Sequence, residues 1–162
     1  MGQNCGLMRV VLSLRGDYAV RPMLALASHD GDGWLSAPRI AERMSIPVRF
    51  LPHVLTDLSR AGLVIGHPGR TGGYRLAIPA IEINLLQIVK AVEGDSEPAR
   101  CVLRGGPCGK DGRCAVHDSF AAATAVLRDT LRGSPLSELA KRGGLLDTSP
   151  LPTGQAGELA RS

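Results

Sequence analysis

Hydrophobic residues along the chain fall into a series of short helical stripes, interrupted once by an alternating, strand-like pattern. From Leu14 to Ser28 the apolar positions Leu14, Tyr18, Met23, Leu24 and Leu26 recur at helical spacing and predict a first helix. Pro22 lies inside that run and lacks a backbone donor, so a kink or a late start near Val20 is expected. Ser36 to Met44 predicts a second helix, with Ser36 as N-cap, Pro38 in the first turn where its missing N–H costs nothing, and Ile40, Ala41 and Met44 as the buried stripe. After the break at Ser45-Ile46-Pro47, a third stretch runs from Val48 to Ala61. It turns Phe50 or Leu51, Val54, Leu55 and Leu58 inward and Arg49, His53, Asp57 and Arg60 outward, and Gly62 closes it as a C-cap. Two short helices joined by a tight turn, the second carrying polar and basic side chains outward, fit a helix-turn-helix.

The pattern then changes period. Leu63-Val64-Ile65 reads as a strand, His67 to Gly73 (HPGRTGG) as a glycine-rich turn, and Tyr74-Arg75-Leu76 as the returning strand. A hairpin directly after a helix-turn-helix is a wing. Its tip offers Arg70, flanked by glycines that let backbone approach a phosphate closely. No GxxxxGK[ST] or GxGxxG is present, which sets a nucleotide loop aside. Beyond Pro79, Ile83 to Val92 forms an amphipathic helix. Ala115 to Leu131 forms a long one whose alanines at 121, 122, 123 and 125 suit close helix contact and a role in dimerisation. Ser134 to Leu139 closes the pattern with a last helical turn. The predicted fold is mainly α with a small β-hairpin wing, a winged helix-turn-helix plus a long dimerisation helix. Residues 1–7 are expected to form a disordered leader, 8–80 the winged helix-turn-helix, 81–140 a cysteine loop with the dimerisation helix, and 141–162 a disordered tail.

Composition narrows the function. Of 162 residues 44% are hydrophobic but only 3% aromatic, so the core must be aliphatic. The net charge of +4 is uneven: residues 1–80 hold nine Arg against five Asp or Glu, whereas residues 81–162 hold ten of each sign. The surplus sits on the helix-turn-helix half, where a polyanionic partner is expected. No apolar run is long enough to span a membrane and no signal-peptide pattern opens the chain, so a cytoplasmic protein with reduced thiols is expected. No paired acid and base in a likely pocket and no nucleotide fingerprint support an enzyme or a small-molecule substrate.

The candidate chemistry lies in CVLRGGPCGKDGRCAVH, Cys101 to His117. Cys101, Cys108 and Cys114 are separated by six and then five residues, and His117 follows three places after the last thiol. Glycines at 105, 106, 109 and 112 and Pro107 make the segment a loop. Three converging thiolates with an imidazole suit an iron-sulphur cluster or a structural zinc, while a reversible disulfide is the metal-free alternative.

The order of parts, with LSRAGLVIGHPGRTGGYRLA at the wing, the Cys-x6-Cys-x5-Cys loop and GDYAV at 16–20, resembles the IscR/NsrR group of bacterial transcription regulators, the Rrf-two superfamily. The likeness covers roughly residues 8–140. It implies a homodimer that binds a double-stranded DNA operator, with an iron-sulphur cluster sensing nitric oxide, redox state, iron or cluster supply. Carried over by position, Cys101, Cys108 and Cys114 match the family's cluster ligands. Asp17 matches the carboxylate by which nitric-oxide sensors complete a four-iron (4Fe-4S) cluster across the dimer. His117 matches the imidazole that cluster-biogenesis regulators place on a two-iron (2Fe-2S) cluster. The resemblance also implies that Arg49, Phe50 and His53 face the major groove while Arg70, Thr71, Gly72, Gly73, Tyr74 and Arg75 form the wing contact. The chain departs from the family pattern in its first cysteine gap of six, where five is more usual, and in Arg21, where relatives with two-cysteine clusters have histidine. Pro22 and Pro52 stand in helices that are uninterrupted in typical members. Pro52 also replaces an acidic residue that touches a base in some relatives.

Overall fold

The computed structural model describes residues 12–94 and 114–142. Among them the order of elements is α1 (Leu14–Ala27), α2 (Ala37–Arg43), α3 (Leu51–Arg60), β1 (Val64–His67), β2 (Gly73–Leu76), α4 (Leu85–Glu93), α5 (His117–Arg132) and α6 (Leu136–Lys141). The predicted leader, the tail beyond Arg142, Cys101 and Cys108 lie outside the described residues.

The late start predicted for α1 is not found. Ser13 caps the helix by accepting the Gly16 N–H at 3.0 Å, and its hydroxyl donates to Glu93 Oε1 at the end of α4 at 2.6 Å. The helix then continues through Pro22. An interior proline costs about 3 kcal/mol, but Met23, Leu24 and Leu26 are all buried on this helix. At about 1.5–3 kcal/mol for each such side chain, their burial exceeds the local penalty. α1 packs against α2, α3, α4, α6 and β2, which makes it the spine of the domain.

Ser36 takes the N-cap position of α2, with extended backbone, but its side chain makes no capping bond. α3 starts at Leu51 rather than at Val48, and Pro52 is the reason. A helix begun at Val48 would need an N–H from residue 52 for its first i→i+4 bond, and proline has none. Pro52 therefore opens the helix at its second position instead of interrupting it. Residues 48–50 form a turn in which the Phe50 N–H donates to Pro47 O at 2.9 Å. Arg49 and Phe50 thus precede the recognition helix, and Leu51 takes the inward position with Val54, Leu55 and Leu58.

The turn between α2 and α3 contains Ser45, the sole described non-glycine residue with positive φ, at 50°. That region costs an L-residue about 1–2 kcal/mol, while glycine's extra chain entropy returns about 0.5–1 of it. Ser45→Gly is therefore expected to raise stability by about 0.5–1 kcal/mol in urea denaturation. A loss of stability instead would show that the serine hydroxyl contributes more than the strain costs.

The strands pair antiparallel in the register Val64↔Leu76, Ile65↔Arg75, Gly66↔Tyr74, His67↔Gly73. β1 starts one residue later than the sequence pattern suggests and extends to His67, which shortens the turn to residues 68–72. A bridge from Leu35 to Tyr74 adds a short third edge beside β2. α4 begins at Leu85, behind a capping box in which Asn84 and Gln87 satisfy each other's backbone N–H groups. The first residue of α6 is tied to the segment before α4, with Leu136 N–H donating to Ile83 O at 2.7 Å. Met23, Ile40, Leu51, Leu55, Leu58, Ile83, Ile88 and Leu136 form an aliphatic centre, and none of the described aromatic residues is fully buried. α5 differs from the other helices in burying no residue of its own, with Val126 67% and Leu127 38% exposed. No helix among the described residues is long and apolar enough to cross a membrane.

Candidate nucleic-acid interface

The reading elements present two kinds of arginine. Arg15 and Arg60 both reach Asp57 on α3, and Arg21 pairs with Asp17. Arg39 and Arg43 on α2, Arg49 before α3, and Arg70 and Arg75 on the wing have no ion-pair partner among the described residues. All five of these are exposed. Positive charge left uncompensated on one reading module is what a phosphate backbone requires.

Arg49 is not loose. Its guanidinium lies 4.8 Å from the centre of the Phe50 ring, which in turn meets Tyr18 of α1 with ring centroids 5.7 Å apart. His53 is exposed on the first turn of α3. At the wing, Arg70 and Thr71 are exposed at the tip. Gly72 and Gly73 serve close backbone approach: a Cβ at Gly72 would stand 2.0 Å from the His67 carbonyl oxygen, and one at Gly73 2.5 Å from that of Leu35. Tyr74 is half-buried against the core, and both of its backbone polar groups bond Leu35, at 2.9 and 3.0 Å. Arg75 is exposed, with its guanidinium 4.5 Å from the centre of the Trp34 ring. Trp34 is a residue that sequence reasoning missed. The available signal was a lone tryptophan in an aromatic-poor chain, set in the loop before the second helix.

Beneath the interface, Arg21 is buried, its side chain 5% exposed. Its Nε donates to Asp17 Oδ2 at 2.9 Å and its Nη1 to the Met44 carbonyl at 3.3 Å, one residue before the strained Ser45. A charged group inside α1 thus holds the helix-turn-helix turn. Further along, Cys114 and His117 are half-buried and share a turn, with the His117 backbone N–H donating to Cys114 O at 3.0 Å. Among the described residues, no three His, Cys, Asp or Glu side chains gather as a metal site, and Asp17 is engaged by Arg21.

A helix-turn-helix followed by a two-stranded wing, with unpaired arginines on both, defines a winged-helix DNA-binding transcription regulator. The chain belongs to the Rrf2 family, described as iron-dependent transcriptional regulators, whose model matches residues 12–142. It is 33% identical over 138 residues to the HTH-type transcriptional regulator IscR of Pectobacterium carotovorum, covering 85% of this chain and 84% of that protein. In fold it is similar to CymR, the global cysteine regulator of B. subtilis, with a TM-score of 0.71 at 24% identity, over 86% of this chain and 100% of that one. The oxidized form of Staphylococcus aureus CymR is also similar, with a TM-score of 0.65 at 28% identity, over 81% of this chain and 96% of that one.

Proposed function

We propose that this regulator is a homodimer whose grip on a DNA operator is set by an iron-sulphur cluster bound through Cys101, Cys108 and Cys114. Residues 8–80 do the reading, and residues 81–140 hold the cluster and the partner subunit. The observation that supports the cluster is the turn at the head of α5, which joins Cys114 and His117 through their backbones in a family described as iron-dependent. Three thiolates with one imidazole or carboxylate make a donor set that fits a 2Fe-2S or 4Fe-4S cluster. When bound, such a group supplies one-electron redox chemistry and a target for oxidants.

The remaining roles belong to the chain. α3 lies in a major groove with Arg49, Phe50 and His53 toward the duplex, and the wing brings Arg70 and Arg75 to phosphates. α5 meets its counterpart in a second copy through the exposed Val126 and Leu127, so the dimer reads two half-sites about one helical turn apart. Asp17 is the connection. It is the carboxylate partner of Arg21, which grips the Met44 carbonyl at the helix-turn-helix turn. A demand for Asp17 elsewhere therefore changes what holds the reading head, which gives the two states the difference in contacts that a switch requires.

Anaerobic purification with iron and sulphide analysis, followed by anisotropy titration of a duplex selected by the protein from a random pool, tests this. Iron and sulphide in equal amounts are expected, with loaded and stripped protein differing at least about 10-fold in affinity. Iron-free protein from anaerobic cells, or equal affinities, sinks the cluster reading. A second reading is favoured by the crystallised oxidized form of the S. aureus relative, in which case two of the thiols form a reversible disulfide instead. It predicts that metal-free protein loses the mass of two hydrogens on mild oxidation and changes DNA affinity with it.

A further inference from the structure

Trp34 meets two side chains of the wing. The His67 ring stacks on it at 5.1 Å between centroids and 26° between planes, and the Arg75 guanidinium sits 4.5 Å from the indole centre. The backbone dictates this arrangement. Gly33, at φ 91°, turns the chain into the Leu35 bridge. In an antiparallel bridge that pairs Leu35 with Tyr74, the residue before Leu35 opposes the residue after Tyr74, so Trp34 and Arg75 are cross-strand neighbours. His67 and Arg75 share the outer face of the hairpin because they alternate with the inward Tyr74 and Leu76.

The Arg75 side chain makes no hydrogen bond or ion pair with any described residue, so the indole is what positions it. A guanidinium held over an aromatic face by cation–π attraction leaves its N–H donors available to an outside acceptor. Such a group has already given up much of the rotamer freedom that a flexible arginine would lose on meeting a phosphate.

We propose that Trp34 is a positioning residue for DNA binding: it holds Arg75 of the wing in the pose that meets a backbone phosphate. This rests on the reading of the wing as a duplex contact. Trp34 does not touch the duplex itself in this account.

The test measures affinity for the selected duplex across a range of KCl concentrations, using full-length wild type, Trp34→Ala, Trp34→Phe, Arg75→Ala and the Trp34→Ala/Arg75→Ala double variant. Trp34→Ala and Arg75→Ala are each expected to weaken binding about 3- to 10-fold and to lower the slope of log affinity against log salt by about one phosphate contact. The double variant should bind no worse than Arg75→Ala alone, and Trp34→Phe, which keeps an aromatic face, should restore both affinity and slope. Loss of fold shifts melting temperature and active fraction but not the salt slope of the fraction that binds. Because the chain has one Trp, its emission should shift in Arg75→Ala, reporting the stack in solution. Additive losses in the double variant, or an unchanged slope in Trp34→Ala while Arg75→Ala lowers it, overturn the positioning role and leave the wing contact standing. An unchanged slope in Arg75→Ala overturns both, through the interface rather than through Trp34.

Discussion

Asp17→Ala is expected to destabilise the protein by about 3–5 kcal/mol, the cost of leaving a buried charge without its counter-ion. The Arg21 side chain is 5% exposed, and Asp17, at 2.9 Å, is its one carboxylate partner among the described residues. With Asp17 gone, the guanidinium keeps only the Met44 carbonyl at 3.3 Å. The reciprocal change is milder. Arg21→Met leaves an Asp17 that is 27% exposed and can take up water, and it fills most of the same space with apolar atoms. It should cost about 1–2 kcal/mol, chiefly through the lost bond to Met44. Asp17→Ala/Arg21→Met should then recover much of the loss seen in Asp17→Ala, and urea denaturation of the metal-free proteins measures all three. If Asp17→Ala stays within about 1 kcal/mol of wild type, or the double variant is as unstable as Asp17→Ala, the pair does not have the role assigned to it. The same series serves the cluster reading. Iron lost from Asp17→Ala alone is ambiguous between a missing ligand and a disturbed α1, whereas iron lost from the stable double variant points to the ligand.

How far the sequence could be read depended on whether the deciding interaction was local. Helix-turn-helix, wing and long helix were all legible, because each rests on apolar periodicity or on glycine and proline punctuation within a few residues. The start of α3 was misplaced although the information was present: Pro52 denies Val48 its first helical hydrogen bond, a constraint read four residues upstream. Pro22 misled in the opposite sense, since its backbone cost is local but is outweighed by burial of Met23 and Leu26 against the other helices. Asp57 looked like an outward carboxylate on a basic face. It is instead shared between Arg15 on α1 and Arg60 one turn along, which removes two arginines from the count available to DNA. Trp34 was invisible as a functional residue because its partners, His67 and Arg75, come from strands 33 and 41 positions further along, joined through the Leu35–Tyr74 bridge. The thiols were legible as spacing, and of the three only Cys114 falls among the described residues.

That bridge is also where a single methyl group should do most harm to the wing. A Cβ on Gly73 would stand 2.5 Å from the Leu35 carbonyl oxygen, 2.7 Å from its carbonyl carbon and 3.0 Å from the Ser36 nitrogen, all of them backbone atoms. Backbone on the approaching side cannot rotate away as a side chain can, so β2 and the Leu35 edge must separate. The two bonds between Leu35 and Tyr74, at 2.9 and 3.0 Å, are then lost or lengthened. Overpacking of this kind costs about 1–3 kcal/mol, and broken hydrogen bonds add about 1 each, so Gly73→Ala should lose about 3–5 kcal/mol. Gly66→Ala is the matched control. It lies on the other strand of the same hairpin, opposite Tyr74, and its added Cβ would meet Tyr74 Cε1 at 3.2 Å, a ring atom that can yield by a few tenths of an ångström. Its cost should stay below about 1 kcal/mol. Separation of Leu35 from β2 also pulls Trp34 away from Arg75, so Gly73→Ala should lower DNA affinity by about the same 3- to 10-fold as Trp34→Ala, whereas Gly66→Ala should bind nearly as wild type. Equal stability and equal affinity for the two variants would mean that the Leu35 edge yields freely, and the wing would then need some other anchor to hold its arginines against a duplex.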